Sequence, residues 1–161
     1  MGTVNEALDV ANSLFDRWRD YRAVRQEASA LIRLLYLECR RNLALLDALK
    51  LDGAQDDADY VEVANALETS ILEQVFLVGE KQTKALEHLR KKLAGEEDAE
   101  AHDAPDALMR LYVRVTALQK IASLSAKGHA LRSINYRKRL DNVKKRLLDI
   151  VPDLEVIAHS D

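Results

Sequence analysis

The chain has 161 residues, 48% of them apolar and 32% charged, and a net charge of −3 at neutral pH. That length suffices for one domain with its own core, and the apolar fraction is too high for a disordered chain. No run of about 18 apolar residues occurs, so the sequence predicts no membrane-spanning helix. The single cysteine, Cys39, and the absence of a secretory signal at the start predict a cytoplasmic protein.

Glycine and proline occur only where long helical patterns start, pause or stop. Glycine costs a helix interior about 1 kcal/mol relative to alanine and proline about 3, so the stretches between them are free to be helical. The sequence therefore predicts an all-α fold in a single domain over residues 1–161. The residues in question are Gly2, Gly53, Gly79, Gly95, Gly128, Pro105 and Pro152.

The first helical stretch is expected to begin at Thr3 and to end at Gly53. Its apolar pattern weakens over residues 20–27 and resumes over 28–51 with a broad apolar face. A helix that is apolar over so much of its circumference contacts more than one neighbour, which predicts a central position in a bundle.

The second stretch begins near Asp56 or Asp57, and its apolar phase continues past Gly79 until Gly95. The acidic segment 96–105 follows and lacks apolar anchors, so we expect an exposed loop there. Pro105 suits the first turn of the next helix.

The third stretch keeps a seven-residue apolar rhythm, pauses at Gly128, and resumes at Tyr136. Pro152 is expected to end it, which leaves residues 153–161 as a frayed tail. The alternative is that Leu154, Val156 and Ile157 pack back on the bundle. If short loops make the three stretches antiparallel, the places where their apolar patterns weaken would lie at the same height along the bundle axis. One prediction is an antiparallel bundle of three long, kinked helices, which the phase preserved across Gly79 favours. The alternative is a compact bundle in which these break into five or six helices.

Charge is strongly segregated along the chain. Residues 107–146 carry eleven Lys and Arg against one acid, whereas residues 52–106 carry a net charge of −10. Attraction between neighbouring helices within one fold would account for this asymmetry, and so would a charged partner.

The basic cluster of the last helix is the main candidate for a partner-binding surface. Basic flanks beside an apolar stripe select acidic flanks on the facing helix. Acids of the second stretch (Asp57, Asp59, Glu62, Glu68 and Glu73) are one candidate, and a separate acidic protein or a second copy is the other. Nucleic acid is a further possibility, because such a helix can neutralise phosphates. The predicted surface comprises Arg132, Arg137, Lys138, Arg139, Lys144, Lys145 and Arg146.

Two polar residues, Glu38 and Asn42, interrupt the apolar face of the first stretch, one turn apart. A buried carboxylate costs several kcal/mol unless it is paired, so an internal salt bridge or hydrogen bond is the favoured interpretation. The alternative is a small-ligand or enzymatic site in the core, with His129 as a third member. No Glu-x-x-His pair of the kind used by metal-binding bundles is present.

No catalytic motif is found either, since the zincin helix, the phosphate loop, paired cysteines and the nucleophile turn are all absent. The sequence therefore predicts a protein that is not an enzyme and that uses no cofactor or metal. The leading hypothesis is a helical interaction protein, either a homo-oligomer or an accessory subunit. The alternative is a helical nucleic-acid binder.

Overall fold

The computed structural model describes residues 2–49, 56–76, 87, 104–128 and 134–159. The regular structure of these residues is helical, which confirms the all-α prediction. Glu87 is also helical, within a segment that is otherwise not described. The helices are α1 (Gly2–Ala48), α2 (Asp57–Ala66), α3 (Ser70–Val75), α4 (Ala104–Ala126) and α5 (Tyr136–His159).

Helix α1 is continuous over 47 residues, which corresponds to about 70 Å at 1.5 Å per residue. It passes without a break through residues 20–27, where the weakened apolar pattern predicted a weak point. Among the side chains of α1 that the structure describes, the buried ones run from Ala28 to Leu46. This half of α1 packs against both α3 and α5, so its broad apolar face meets two neighbours.

The second stretch is broken at residues 67–69, between α2 and α3. The sequence predicted one helix through this segment, because Ala64, Leu67 and Ile71 keep the helical phase. Leu67 is buried at the break, and its backbone is extended there, with a φ of −64° and a ψ of 134°. Gly79, where the sequence placed the weak point, lies outside the described residues, as does most of the predicted acidic loop 96–105.

The third stretch contains two helices, and the first of them is followed by a turn at Lys127 and Gly128. Gly128 has a φ of 78°, and its N–H donates to the carbonyl of Ser125 at 3.0 Å. Glycine in this left-handed region is the usual residue just after a helix C-terminus. Helix α5 then begins after Asn135, whose Oδ1 accepts a hydrogen bond from the backbone N–H of Lys138 at 2.9 Å. The structure therefore differs from the three-helix prediction.

The predicted frayed tail is wrong for residues 153–159, because α5 continues through Pro152 to His159. Leu154, Ile157 and Ala158 are buried. Proline inside a helix costs about 3 kcal/mol, whereas each fully buried aliphatic side chain contributes roughly 1.5–3 kcal/mol. Packing of the last two turns therefore offsets the cost of Pro152.

Helices α1 and α5 are antiparallel. The Nε of Arg33 donates to the carbonyl of Ala158 at 3.3 Å, whereas Asp47, near the end of α1, pairs with Lys144 near the start of α5. The rings of Tyr36 and His159 meet edge to face, with centroids 5.7 Å apart. These contacts hold the end of α5 against the middle of α1.

The α2–α3 pair is antiparallel to α4, as the contacts at its two ends show. Gln119 reaches Leu67, and Phe76 at the other end packs against Tyr112 with ring centroids 6.4 Å apart. Contacts between α1 and the segment 68–72 make α1 antiparallel to the same pair. It follows that α4 and α5 are antiparallel to each other, and all five helices contribute to one buried core.

Candidate functional site

Glu38 is fully buried on the inner face of α1, and its carboxylate accepts hydrogen bonds at the start of α3. Its Oε2 atom accepts from the N–H of Ile71 at 2.8 Å and from the hydroxyl of Ser70 at 3.2 Å. Its Oε1 atom accepts from the N–H of Leu72 at 2.9 Å. These N–H groups lack partners within their own helix because they belong to its first turn.

Asn42 lies one turn further along α1 and forms hydrogen bonds with both the carbonyl and the N–H of one residue in the break, Glu68. Its Nδ2 donates to the carbonyl of Glu68 at 2.7 Å, and its Oδ1 accepts from the N–H of Glu68 at 2.8 Å. From the opposite side, Nε2 of Gln119 on α4 donates to the carbonyls of Ala64 and Leu67, at 3.1 and 2.9 Å. Three polar side chains thus satisfy the backbone of the break.

The structure therefore gives Glu38 and Asn42 internal hydrogen bonds, whose partners are backbone groups and the hydroxyl of Ser70. His129 lies outside the described residues. Among the side chains that are described, no three His, Cys, Asp or Glu residues converge as a metal ion would require. In addition, no described helix combines the length and apolarity needed to cross a bilayer.

Cys39 adjoins Glu38 and is also buried. Burial, and after it the charge of Glu38, raises the pKa of this thiol to about 12. The thiolate is the reactive form of cysteine, so at neutral pH Cys39 is a small apolar core residue with no nucleophilic role.

The basic residues predicted on the last helix occupy different surroundings on α5. Lys144 pairs with Asp47 of α1 at 3.0 Å, and Lys145 pairs with Asp141 of its own helix at 3.0 Å. Arg137, Lys138 and Arg139 are exposed, and Arg146 is half-buried. Arg132 lies outside the described residues.

The predicted neutralisation by acids of the second stretch is not seen in the described part of the chain. Glu68 pairs with Arg41 of α1 at 2.6 Å. Within the described residues, no ion pair connects α2 or α3 with α5. Within the described residues, those acids therefore do not neutralise the cations of α5 at contact distance.

An open groove lies on the outer side of the bundle, between α4 and α5, with a volume of about 550 Å³. Both apolar and basic side chains line it, and the apolar residue Val113 is 53% exposed. Its lining residues are Val113, Arg114, Ala117, Ile134, Asn135, Lys138, Arg139, Asn142 and Val143.

Two further arginines extend the positive charge along this groove. Arg110 lies one helical turn before Arg114, and Arg146 lies one turn after Asn142. Burial, followed by the charges of Arg114 and Arg110, lowers the pKa of Arg146, and Asp149 opposes this. Arg146 is therefore close enough to Arg114 and Arg110 for their like charges to repel its own.

We call Arg110, Arg114, Lys138, Arg139 and Arg146 the groove cations. None of the five forms an ion pair with a described residue. The sequence interpretation included the three on α5 and missed the two on α4. Their four-residue spacing within the basic segment 107–146 was the available signal, since such residues share one helix face.

Comparison with known proteins adds no assignment: no family model, curated protein or solved structure matches this chain. The function is therefore inferred from the chain's own geometry.

Proposed function

We propose that the chain is a non-enzymatic helical interaction protein that works by contact, as an accessory subunit or as a homo-oligomer. The observation that supports this proposal is the set of groove cations, which form no ion pair with a described residue although the chain as a whole carries an excess of acids. A cytoplasmic location belongs to the same proposal and is supported by the free, buried Cys39.

The apolar component distinguishes this surface from an ordinary solvated helix face. Isolated exposed charges and single exposed apolar residues are both common on protein surfaces, and neither requires a partner. Here Val113 and Ile134 lie in the same groove as Arg114 and Arg139. A mixed apolar and charged concavity of this kind is what protein interfaces present, with anchors in the centre and charges at the rim.

Light scattering over a range of protein concentrations tests self-association, and quantitative co-purification from the source cell tests for a separate partner. We expect a stoichiometric complex, or a mass above that of the monomer, that is lost when Arg114 and Arg139 are both replaced by Glu. Lys127→Glu is the matched control, because Lys127 is an exposed cation in the turn after α4. A chain that stays monomeric and captures no stoichiometric protein would contradict the proposal.

Nucleic-acid binding is the second candidate, and the same unpaired cations favour it, since they could neutralise several phosphates. Proteins that bind single strands usually add stacking aromatics, and none is found among the described residues that line the groove. Tyr136, the aromatic residue at the start of α5, is buried. Fluorescence anisotropy with a labelled oligonucleotide and with a short duplex, at several salt concentrations, distinguishes the two. Tight, salt-sensitive binding that R114E/R139E abolishes would support this second candidate in place of the first.

A further inference from the structure

We infer that the groove between α4 and α5 receives an amphipathic acidic helix of a partner protein. This inference rests on the proposed function, and it adds the binding surface and the chemistry of the partner. It combines three features of the groove: an apolar floor, cations on both walls, and the antiparallel orientation of the two helices that form those walls.

We call the four apolar residues that line the groove its floor; of these, Val113 and Ala117 are exposed. Val113 and Ala117 contribute from α4, and Ile134 and Val143 contribute from the α5 side. Val113 is 53% exposed, so the apolar side chains of a partner can reach it. Apolar side chains of a partner are the groups that such a floor would cover favourably.

Cations lie on both walls above this floor. Arg114 lies on the α4 wall, whereas Lys138 and Arg139 lie on the α5 wall. Arg110 and Arg146 continue the two walls and face each other closely enough for their charges to interact. Because guanidinium groups bind carboxylates through two parallel hydrogen bonds, acids on both flanks of an inserted helix would find partners.

An amphipathic helix in a groove presents apolar residues inward, spaced three or four apart, and polar residues on both flanks. The groove offers the complementary order of cation, apolar floor and cation across its width. A phosphate backbone would use the cations alone and would leave Val113 and Ile134 without a partner. The floor therefore favours a protein helix over nucleic acid.

The test uses a display library of random peptides of about 16 residues, a length that forms about four helical turns. The library is selected on the intact chain and counter-selected on the R114E/R139E double variant. We expect the recovered peptides to be rich in Asp and Glu and to carry apolar residues at helical spacing. A representative peptide should bind R114E/R139E at least tenfold more weakly, and Val113→Asp as well, whereas Lys127→Glu should bind it normally.

Several outcomes would overturn the inference. These are no enrichment, apolar peptides without acids, or acidic peptides that bind Val113→Asp as tightly as the original chain. Displacement of the peptide by an oligonucleotide that binds the groove more tightly would assign the groove to nucleic acid instead. Circular dichroism checks the folding of each variant, and R114Q/R139Q replaces the double Glu variant if that one unfolds.

The two levels of the proposal can fail separately. If the chain forms a stoichiometric complex that R114E/R139E leaves intact, the proposed function stands and the groove inference fails. If no complex forms and no peptide is selected, both fail.

Discussion

The Oε1 atom of Glu38 lies 2.9 Å from the backbone nitrogen of Leu72, so a side chain from the middle of α1 caps the first turn of α3. The residue that precedes α3, Thr69, makes no capping hydrogen bond through its side chain within the described structure. A distant residue thus performs the function that the local N-cap normally performs. Hydrogen bonds from two N–H groups and one hydroxyl stabilise this buried carboxylate.

Replacement of Glu38 by Gln should therefore destabilise the fold. The amide keeps one acceptor oxygen and turns an NH₂ group towards an N–H donor, which leaves a buried donor unsatisfied. The expected loss is about 1–3 kcal/mol in the free energy of unfolding, measured by chemical denaturation. Glu27→Gln, an exposed change on the same helix, is the control and should have little effect. Equal stability of the two variants would show that the capping bonds contribute nothing.

Cys39 makes unfolding depend on pH in the alkaline range. Its pKa is about 12 in the folded chain and about 8.5 in an unfolded one. Between these values the unfolded chain binds fewer protons, so this contribution to stability is fully present below about pH 8.5 and decreases as pH rises, by up to about 1.4 kcal/mol per unit.

The measurement compares the free energy of unfolding of the original chain and of Cys39→Ala from about pH 8 to about pH 10. Alanine lacks the titrating group, so the difference between the two chains should shrink or change sign as pH rises. A difference that stays constant over this range would contradict the burial of the thiol.

Gly128→Ala should destabilise the chain through the backbone alone. The φ of 78° is one that side chains of L-residues rarely adopt, although no atom lies within 4 Å of the position that a Cβ would occupy. We expect a cost of about 1–2 kcal/mol and a lower melting temperature by circular dichroism. Gly128→Asn should cost less, because asparagine tolerates this region better. Similar melting temperatures for all three chains would contradict this conformation.

Neutralising a groove cation should stabilise the unbound chain, because the cations repel one another. Arg114→Gln removes a charge that lowers the pKa of Arg146, so its melting temperature should rise by about 1–2 °C at low salt. Added salt should reduce this gain, since it screens exposed charges. Lys145→Gln removes the same charge from a residue paired with Asp141 and should not stabilise. A salt-independent gain, or an equal one for Lys145→Gln, would argue against repulsion in the groove.

The pattern of apolar residues predicted the helices and their buried faces well. In α5, the pattern places Tyr136, Leu140, Val143, Leu147 and Ile150 on the inward face; the first four are buried, and Ile150 is partly buried against the core. The repeat of apolar residues is a local property, so it can be read without knowledge of the neighbouring helices. Pro152 was misread because burial of the residues after it outweighs the cost that local rules assign to proline.

The break at residues 67–69 could not be predicted from its own sequence. Leu67 and Ile71 continue the apolar phase whether or not the backbone is interrupted between them. The groups that stabilise the break, Glu38, Asn42 and Gln119, lie far away in the chain. The sequence indicated that Glu38 and Asn42 need internal partners without indicating which ones. The groove was missed in part for the same reason, because its two walls come from separate helices.

The hydrogen bonds at this break also determine the register of α1 against α2 and α3, that is, their relative position along the bundle axis. Helices lined with Leu and Ala can slide past one another by one heptad, about 10 Å, and still match apolar to apolar. Such a slide would leave the carboxylate of Glu38 and the amide of Asn42 buried against hydrocarbon, at a cost of several kcal/mol. Only one register of α1 against α2 and α3 avoids that loss. These two side chains therefore fix how the helices align along the bundle axis.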